Sequence, residues 1–355
     1  MCRNCVSFLT RPLMRALASS RCSRRRTVKN DPERMAMDKV IEVLQEHDAF
    51  VIVGHRDPDG DSLGSSLALG LALEQMGKRV AIVSADPLFA AYQRLPDSNR
   101  VKVVSMAPDG FQVAVFMECN AIERSGIGGF DGRVIVNIDH HANNPNFGDV
   151  NWVDPSMAAV GVMVYRLLTK IGVDITSEIA THLYVAILTD TGSFRYSNTD
   201  AEAFRVCGDL VELGVDPASV AEAIYENVPM DKVRLLAVGL GNLRLEAGGR
   251  VASTVLDHAT LESSPGKPDT EGIVNHGKAI DGVSVAVLFK EVELGQYRIS
   301  LRSDELVDVA EIAGAFGGGG HPRAAGCMVS GDLMDVRKEI LSVVYCALGI
   351  VEKDE

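Results

Sequence analysis

A histidine and two carboxylates stand on one short stretch of the chain. They are His55, Asp59 and Asp61, in the run GHRDPDGDSLGS that begins at Gly54. An imidazole and two carboxylates this close can ligate a divalent cation or divide acid–base work. Gly60 between the aspartates lets the backbone curl so that both carboxylates point inward. The run is also a strong turn signal, and Asp61 or Ser62 could simply cap a following helix. Asn137-Ile138-Asp139-His140-His141 brings the same residue types together again, Glu118 adds a carboxylate, and Thr189-Asp190-Thr191-Gly192 adds another. His55, Asp59, Asp61, Glu118, His140 and Asp190 form a mixed imidazole–carboxylate set of the kind that suits manganese or a related divalent ion. Six such ligands are too many for one ion and fit two.

These groups stand at the ends of predicted elements. The apolar run Ala49–Gly54 reads as a buried strand leading into His55, and Gln112–Met117 and Arg133–Ile138 read as strands leading into Glu118 and the Asp139 group. Arg79–Ser84 is a further strand. Met37–Glu46, Ser62–Met76, Val160–Ile171, Ser177–Leu188 and Asp200–Leu213 have helical spacing. Strands separated by helices predict an α/β unit, a mostly parallel sheet with helices on both faces, over residues 37–225. The carboxyl ends of parallel strands are where such folds place ligands. Asp190, at a helix C-terminus, opposes the helix dipole unless a cation compensates. After a helical linker, 226–241, the pattern changes. Hairpins around Ala247-Gly248-Gly249 and Glu293–Gln296, a helix Val307–Ala315, a glycine run, a strand Ala324–Val329 and a helix Leu333–Ala347 predict a smaller α+β domain over 242–350, with a cleft between the two.

Composition narrows the class. The 355 residues are 46% apolar and 23% charged, the balance of a globular protein and not of a disordered one. No run approaches the roughly 18 apolar residues of a membrane helix, so no membrane partner is expected. Seven scattered Cys do not form a disulfide framework and point to reduced thiols in the cytoplasm. The formal net charge is −13, yet residues 1–36 carry eight Arg and Lys29 against Asp31 and Glu33, a net +7 that leaves −20 on the rest. A body this acidic argues against duplex DNA as partner, because such binding rests on neutralised phosphates. The basic segment 1–36 reads as a disordered extension. Its Arg- and Ser-rich, acid-poor composition is also that of an organellar leader, and its lone Cys2/Cys5 pair is a weak metal signal.

GHRDPDGDSLGS, IDHH and LTDTGSFRYSNT resemble the successive motifs of the DHH phosphoesterase superfamily. SLRS with GAFGGGGHPRAAG resembles the DHH-associated C-terminal domain of NrnA-type and RecJ-type enzymes. The resemblance runs from about residue 37 to 350, and the two-domain length is most similar to NrnA-type enzymes, which degrade very short oligoribonucleotides and often dephosphorylate 3′-phosphoadenosine 5′-phosphate (pAp). It implies one manganese held by His55, Asp59 and Glu118 and a second by Asp61, Glu118, His140 and Asp190. Glu118 departs from the family's usual Asp. The resemblance further implies that His141 contacts the phosphate or protonates the leaving oxygen, with Asp139 orienting a histidine. It also implies that Arg302, Gly318, Gly319, Gly320 and His321, with Arg195 nearby, bind substrate across the cleft. Two divalent ions clamp a phosphoryl group and acidify a water, which suits hydrolysis.

Phe194, Tyr196, Phe289 and Phe316 are the candidate base stackers, and so small an aromatic set suits a substrate of one or two bases. The partner expected is therefore short single-stranded RNA or a nucleotide; a homodimer is left open. The rival readings are a cyclic or linear dinucleotide phosphodiesterase and a RecJ-like single-strand exonuclease, which would need a basic groove. A non-catalytic nucleotide-binding regulator should lack ligands that this chain retains.

Overall fold

The computed structural model describes residues 32–264 and 268–350. The expectations for the basic N-terminal segment, including the Cys2/Cys5 pair, lie outside the described residues. Its last five positions, 32–36, open helix α1 (Pro32–Glu46).

The first unit is built on β1 (Ala49–Val53), α2 (Gly60–Gln75), β2 (Arg79–Ser84), β3 (Val101–Val103), β4 (Val113–Met117), β5 (Val134–Asp139), β6 (Val150–Val153), α3 (Val160–Ile171), α4 (Ser177–Asp190) and α5 (Ala201–Glu212). The six strands form one sheet in the order β3-β2-β1-β4-β5-β6, every pair parallel. Every residue of β1 and β4 is buried, as expected for central strands covered on both faces. Chain order reverses between β1 and β4, so their carboxyl ends flank the crevice where doubly wound sheets bind ligands.

The helical cover is concentrated on one face. Phe50, Ile52, Val115, Met117, Ile138 and Trp152 join α1 to α5 in the main core. Val51, Val53, Ala114 and Phe116 on the opposite face meet only turns carrying Ala107, Ile127, Phe130 and Phe147. The connections from β3 to β4 and from β4 to β5 cover that face with turns and one helical turn, Ile122–Ser125, in place of helices. Edge strands β3 and β6, three and four residues long, are additions to the predicted set.

Helices α2 and α4 pack closely at Gly64. A Cβ there would lie 2.4 Å from the His182 carbonyl oxygen and 3.1 Å from Ala186, so only a hydrogen fits between them. This approach sets the distance between Asp61 in the first turn of α2 and Asp190 at the end of α4.

A helical connection, α6 (Pro217–Ala221), a turn over Glu222–Glu226 and α7 (Met230–Gly241), leads to the second unit. That unit holds β7 (Arg244–Glu246), β8 (Val251–Leu256), α8 (His258–Glu262), α9 (Ile273–Lys278), β9 (Val285–Glu293), β10 (Gln296–Ser303), α10 (Val309–Gly314), β11 (Gly319–His321), β12 (Ala324–Ser330) and α11 (Leu333–Ala347). Its sheet runs β11-β12-β10-β9-β8-β7. Both expected hairpins form; β8 and β9 pair in parallel, and α8 and α9 make the crossover that parallel pairing requires. Helices α10 and α11 cover one face through Ile312, Val336, Ile340 and Val344. Helices α7 to α9 cover the other through Leu235, Leu261 and Ile273. The glycine run, expected as a loop, instead enters the sheet as edge strand β11, with Gly319 opposite Gly326 and Gly320 opposite Ala325. No helix among the described residues is long and apolar enough to cross a membrane.

Candidate metal centre

Three strand ends and two helix ends deliver the donors. His55 and Asp59 follow β1, Glu118 follows β4, His140 follows β5, Asp61 opens α2 and Asp190 closes α4. The structure brings all six together as two groups. His55, Asp59 and Glu118 place ligand atoms within 4.8 Å of one another, as do Asp61, Glu118, His140 and Asp190. Glu118 belongs to both.

The backbone turns Glu118 inward at a conformational cost: its φ is +55°, in the left-handed region that non-glycine residues avoid. Asn137 Nδ2 and Asn144 Nδ2 donate to the Cys119 carbonyl at 2.9 and 3.0 Å, and Glu118 N donates to the Ile138 carbonyl at 3.0 Å. These bonds hold residues 118 and 119 in that turn. Asp57, two residues past His55, is likewise left-handed (φ +53°) and pairs with Arg298 of β10 at 2.9 Å, across the two units.

Each imidazole is oriented by its other nitrogen. His55 Nδ1–H donates to the Arg56 carbonyl at 2.6 Å, which leaves Nε2 toward Asp59 (3.8 Å) and Glu118 (3.7 Å). His140 Nδ1–H donates to the Met157 carbonyl at 3.0 Å, which leaves Nε2 3.7 Å from Asp190. Fixing one ring nitrogen on a carbonyl so that the other presents a lone pair is the usual preparation of a histidine ligand. Asp59, and neither Asp61 nor Ser62, caps α2: its Oδ1 accepts from Ser62 N at 3.0 Å while Oδ2 faces His55. Asp61 accepts from the N–H groups of Val160 (2.6 Å) and Gly161 (2.9 Å) at the start of α3, and from Ser65 Oγ. Asn198 Nδ2 donates to Asp190 Oδ2 at 3.1 Å.

The electrostatics show an excess of negative charge. Burial and the Asp190 charge push the Asp61 carboxyl up to about 7. Burial and the Asp59 charge raise Glu118 and Asp190 well above the carboxylate range. Burial opposes charge on His55 and Asp59 too, but their mutual pairing outweighs it, lifting the His55 imidazolium and holding Asp59 far below its ordinary value. Glu118 Oε2 and His140 Nε2 are sealed from solvent without a hydrogen-bond partner. Inward, unpartnered carboxylate and imidazole atoms are a donor set that a divalent cation fits.

Asp139 lies outside both donor groups. Its Oδ1 accepts from His141 Nδ1–H at 2.8 Å and from the backbone N–H of His140 and His141, and Asn144 donates to its Oδ2 at 2.5 Å. Burial works against its charge, but these bonds bring the carboxyl down to about 2. His141 Nε2 is thereby turned outward. The His321 ring, from the second unit, stacks on His141 at 4.7 Å and meets His140 edge-on at 5.1 Å. Burial and the two neighbouring imidazoles depress His321 to about 3, so the ring is neutral.

Among the other predicted residues, Gly319 abuts Asn143 of the first unit, while Gly318 and Gly320 press against β12. Arg302, on β10, is half-buried beside Tyr196 and Glu271, and burial lowers its pKa. Arg195 turns to the Gly192 carbonyl, with Nε donating at 2.6 Å. Asn144 and the Met157 carbonyl escaped the sequence reading, and Asn198 was quoted in the LTDTGSFRYSNT run without a role. No spacing in the sequence marks either amide.

Imidazoles and carboxylates thus cluster at the switch point of a parallel sheet, where such folds bind ligands. Residues 49–187 match the DHH family, N-terminal domain, and residues 256–345 match the DHHA1 domain. The chain is 34% identical over 321 residues to the bifunctional oligoribonuclease and PAP phosphatase NrnA of Thermus thermophilus, covering 89% of this chain and 96% of that one. It is 26% identical to the Bacillus subtilis protein of the same name, over 82% and 92% of the two chains. A solved exopolyphosphatase-related protein from Bacteroides fragilis superposes with a TM-score of 0.76 at 25% identity, over 89% of this chain and 96% of that one. RecJ from Thermus thermophilus in complex with Mn2+ shares the fold, with a TM-score of 0.51 at 14% identity, over 90% of this chain and 55% of that one. The chain belongs to the DHH family.

Proposed function

We propose that the protein is a two-cation phosphodiesterase, with manganese its preferred ion. It would hydrolyse short oligoribonucleotides to mononucleotides and pAp to AMP. The observation that carries this reading is the shared carboxylate: Glu118 stands in both donor groups, with Oε2 and the neighbouring His140 Nε2 buried and unpartnered. The relatives that match most of the chain, oligoribonucleases and PAP phosphatases by name, support the substrate class.

His55, Asp59 and Glu118 would hold one ion, and Asp61, Glu118, His140 and Asp190 the other. Bound there, two divalent cations supply a clamp on the phosphoryl oxygens and an acidified water. The chain's own groups do the rest. Asp139 holds the His141 Nδ1–H, and with the ring protonated on both nitrogens Nε2–H would donate to a phosphoryl oxygen or pass its proton to the leaving oxygen. His321, neutral and stacked on His141, closes the centre from the second unit and limits water access. Arg302 would grip a phosphate, its guanidinium being suited to paired contacts. Residues 37–225 thus carry the catalysis and residues 242–350 hold the substrate, with Arg195 and the segment Gly318–Gly320 at the margin.

The test is one panel under manganese and under EDTA: ribonucleotides of two to five residues, longer RNA, pAp, linear and cyclic dinucleotides, and long single-stranded DNA. The expected result is metal-dependent cleavage, fastest on the shortest RNAs. Activity that survives exhaustive chelation would overturn the two-cation reading, and processive degradation of long DNA would replace the substrate class.

A further inference from the structure

Tyr196 differs from the other candidate stackers. Phe289 is fully buried, Phe316 packs against the core of the second unit, and Phe194 is stacked on Phe204 at 5.0 Å. Tyr196 keeps 40% of its surface exposed. One side of its ring is backed by Gly192: a Cβ on that residue would fall 2.4 Å from two ring carbons, so the ring can lie there only over glycine. Gly192, Ser193 and Phe194 are consecutive left-handed residues, with φ of +57°, +60° and +62°. Strain at two non-glycine positions in a row, three and four residues past Asp190, persists only where the surroundings enforce it, and it clusters at ligand sites.

The polar edge of the ring is fixed from the other unit. Asn275 of α9 donates Nδ2 to Tyr196 Oη at 3.3 Å, and the Arg302 guanidinium lies against the same residue. Arg302 Nε is sealed from solvent and has no hydrogen-bond partner. The result is a flat ring backed on one side and tethered at its hydroxyl. In the chain it falls between Asp190 and Asn198, which are hydrogen-bonded to each other. Beside it is the half-buried Arg302 guanidinium, whose Nη1 donates to the Leu301 carbonyl at 3.0 Å.

We propose that Tyr196 is a stacking platform for the nucleobase next to the scissile phosphate, with the Arg302 guanidinium donating to a phosphate or sugar oxygen of the same nucleotide. The proposal rests on the phosphodiesterase reading above and names the part of the substrate that this wall holds. Every base has a π face, so such a platform is tolerant of sequence but favours the larger purines.

The test compares Tyr196→Ala and Tyr196→Phe on a ribodinucleotide and on its abasic counterpart, both with manganese. Loss of one stacked base corresponds to about 10- to 100-fold in affinity. The expected result is a KM increase of that size for Tyr196→Ala on the base-bearing dinucleotide, at least tenfold greater than on the abasic one. Tyr196→Phe, which keeps the ring, should recover most of the loss, to within about threefold. Equal losses on both substrates, or Tyr196→Phe as impaired as Tyr196→Ala, would overturn the platform and leave a structural hydroxyl in its place, with the phosphodiesterase reading intact. If the unaltered protein cleaves neither substrate, the phosphodiesterase reading falls and takes this one with it.

Discussion

Gly64→Ala sets two effects of opposite sign against each other. In a solvent-facing helix the change would stabilise, because alanine exceeds glycine in helix propensity by about 1 kcal/mol. At Gly64 the new methyl would stand 2.4 Å from the His182 carbonyl oxygen and 3.1 Å from the Ala186 nitrogen and Cβ. A comfortable separation is about 3.5 Å, so α2 and α4 must part by roughly 1 Å. The obstacle is helix backbone and cannot rotate away. Overpacking of this kind costs about 1–3 kcal/mol, and its upper range applies here, leaving a net loss of about 1–2 kcal/mol. For a domain of this size that lowers Tm by roughly 3–6 °C. The same displacement separates Asp61 from Asp190, while metal–ligand distances tolerate only about 0.2 Å. Manganese affinity should therefore fall by about 10- to 100-fold, the loss typical when ligands are mispositioned. Scanning calorimetry of the metal-free protein and a calorimetric manganese titration read the two effects separately. A raised Tm together with unchanged manganese binding would refute the claim that this contact sets the geometry of the centre.

Asp139→Asn keeps the shape but removes the charge that fixes the His141 tautomer; kcat on a dinucleotide should fall by about 10²–10⁴, with two manganese ions still bound per chain by elemental analysis. Arg302→Ala should raise KM for oligonucleotides and pAp while kcat stays within a few fold, as lost uniform binding does; an unchanged KM would remove Arg302 from the site. His182, fully buried on α4, is pushed down to about 4 by burial, so the unfolded chain takes up its proton near pH 6.5 and the folded chain only near 4. Stability from this residue is complete above about pH 6.5 and declines as pH falls toward 4, by up to about 3 kcal/mol; urea melts across that window should show the slope, and His182→Leu should flatten it.

Residues within β1 and β4 were legible because five consecutive apolar positions, bounded by turn-forming residues, leave little alternative to a buried parallel strand. Their ends were legible for a related reason: a run such as AFVIV that stops abruptly at Gly54-His55 marks the carboxyl edge of the sheet, where side chains meet ligands. The edge strand Val101-Lys102-Val103 was not legible, because three residues with one charged member carry no period. Helices α8 and α9, five and six residues long, are too short to show helical spacing. The glycine run reads as a loop by composition; only its pairing with Gly326 and Ala325 makes it a strand. Asn137, Asn144 and Asn198 were invisible as a group, because an amide that buttresses a carboxylate or a carbonyl has no characteristic spacing. The site's donors could be found one by one; what fixes their angles could not.

Those angles carry costs that share one remedy. Glu118 occupies a left-handed backbone position, and Asp190 sits at the C-terminal end of α4, where the helix dipole disfavours a carboxylate. Glu118, Asp61 and Asp190 all resist ionisation because they are buried among one another. In a core built only for stability, any of these positions would be better served by an amide or an apolar group. Asp61 is compensated in part by the N–H groups that open α3, Asp190 by the Asn198 amide and Glu118 by His55. Yet the neighbouring asparagines hold the remaining carboxylate groups in place, and Asp139 orients a histidine that lies outside both donor groups. Positive charge placed between the groups would relieve the dipole penalty at Asp190, the repulsion among the carboxylates and the unpartnered atoms of Glu118 and His140 together. The expense is concentrated at the β1/β4 switch point, where a substrate phosphate can reach both the carboxylates and His141. That coincidence of strain, uncompensated charge and access argues for a centre shaped by catalysis and not by folding.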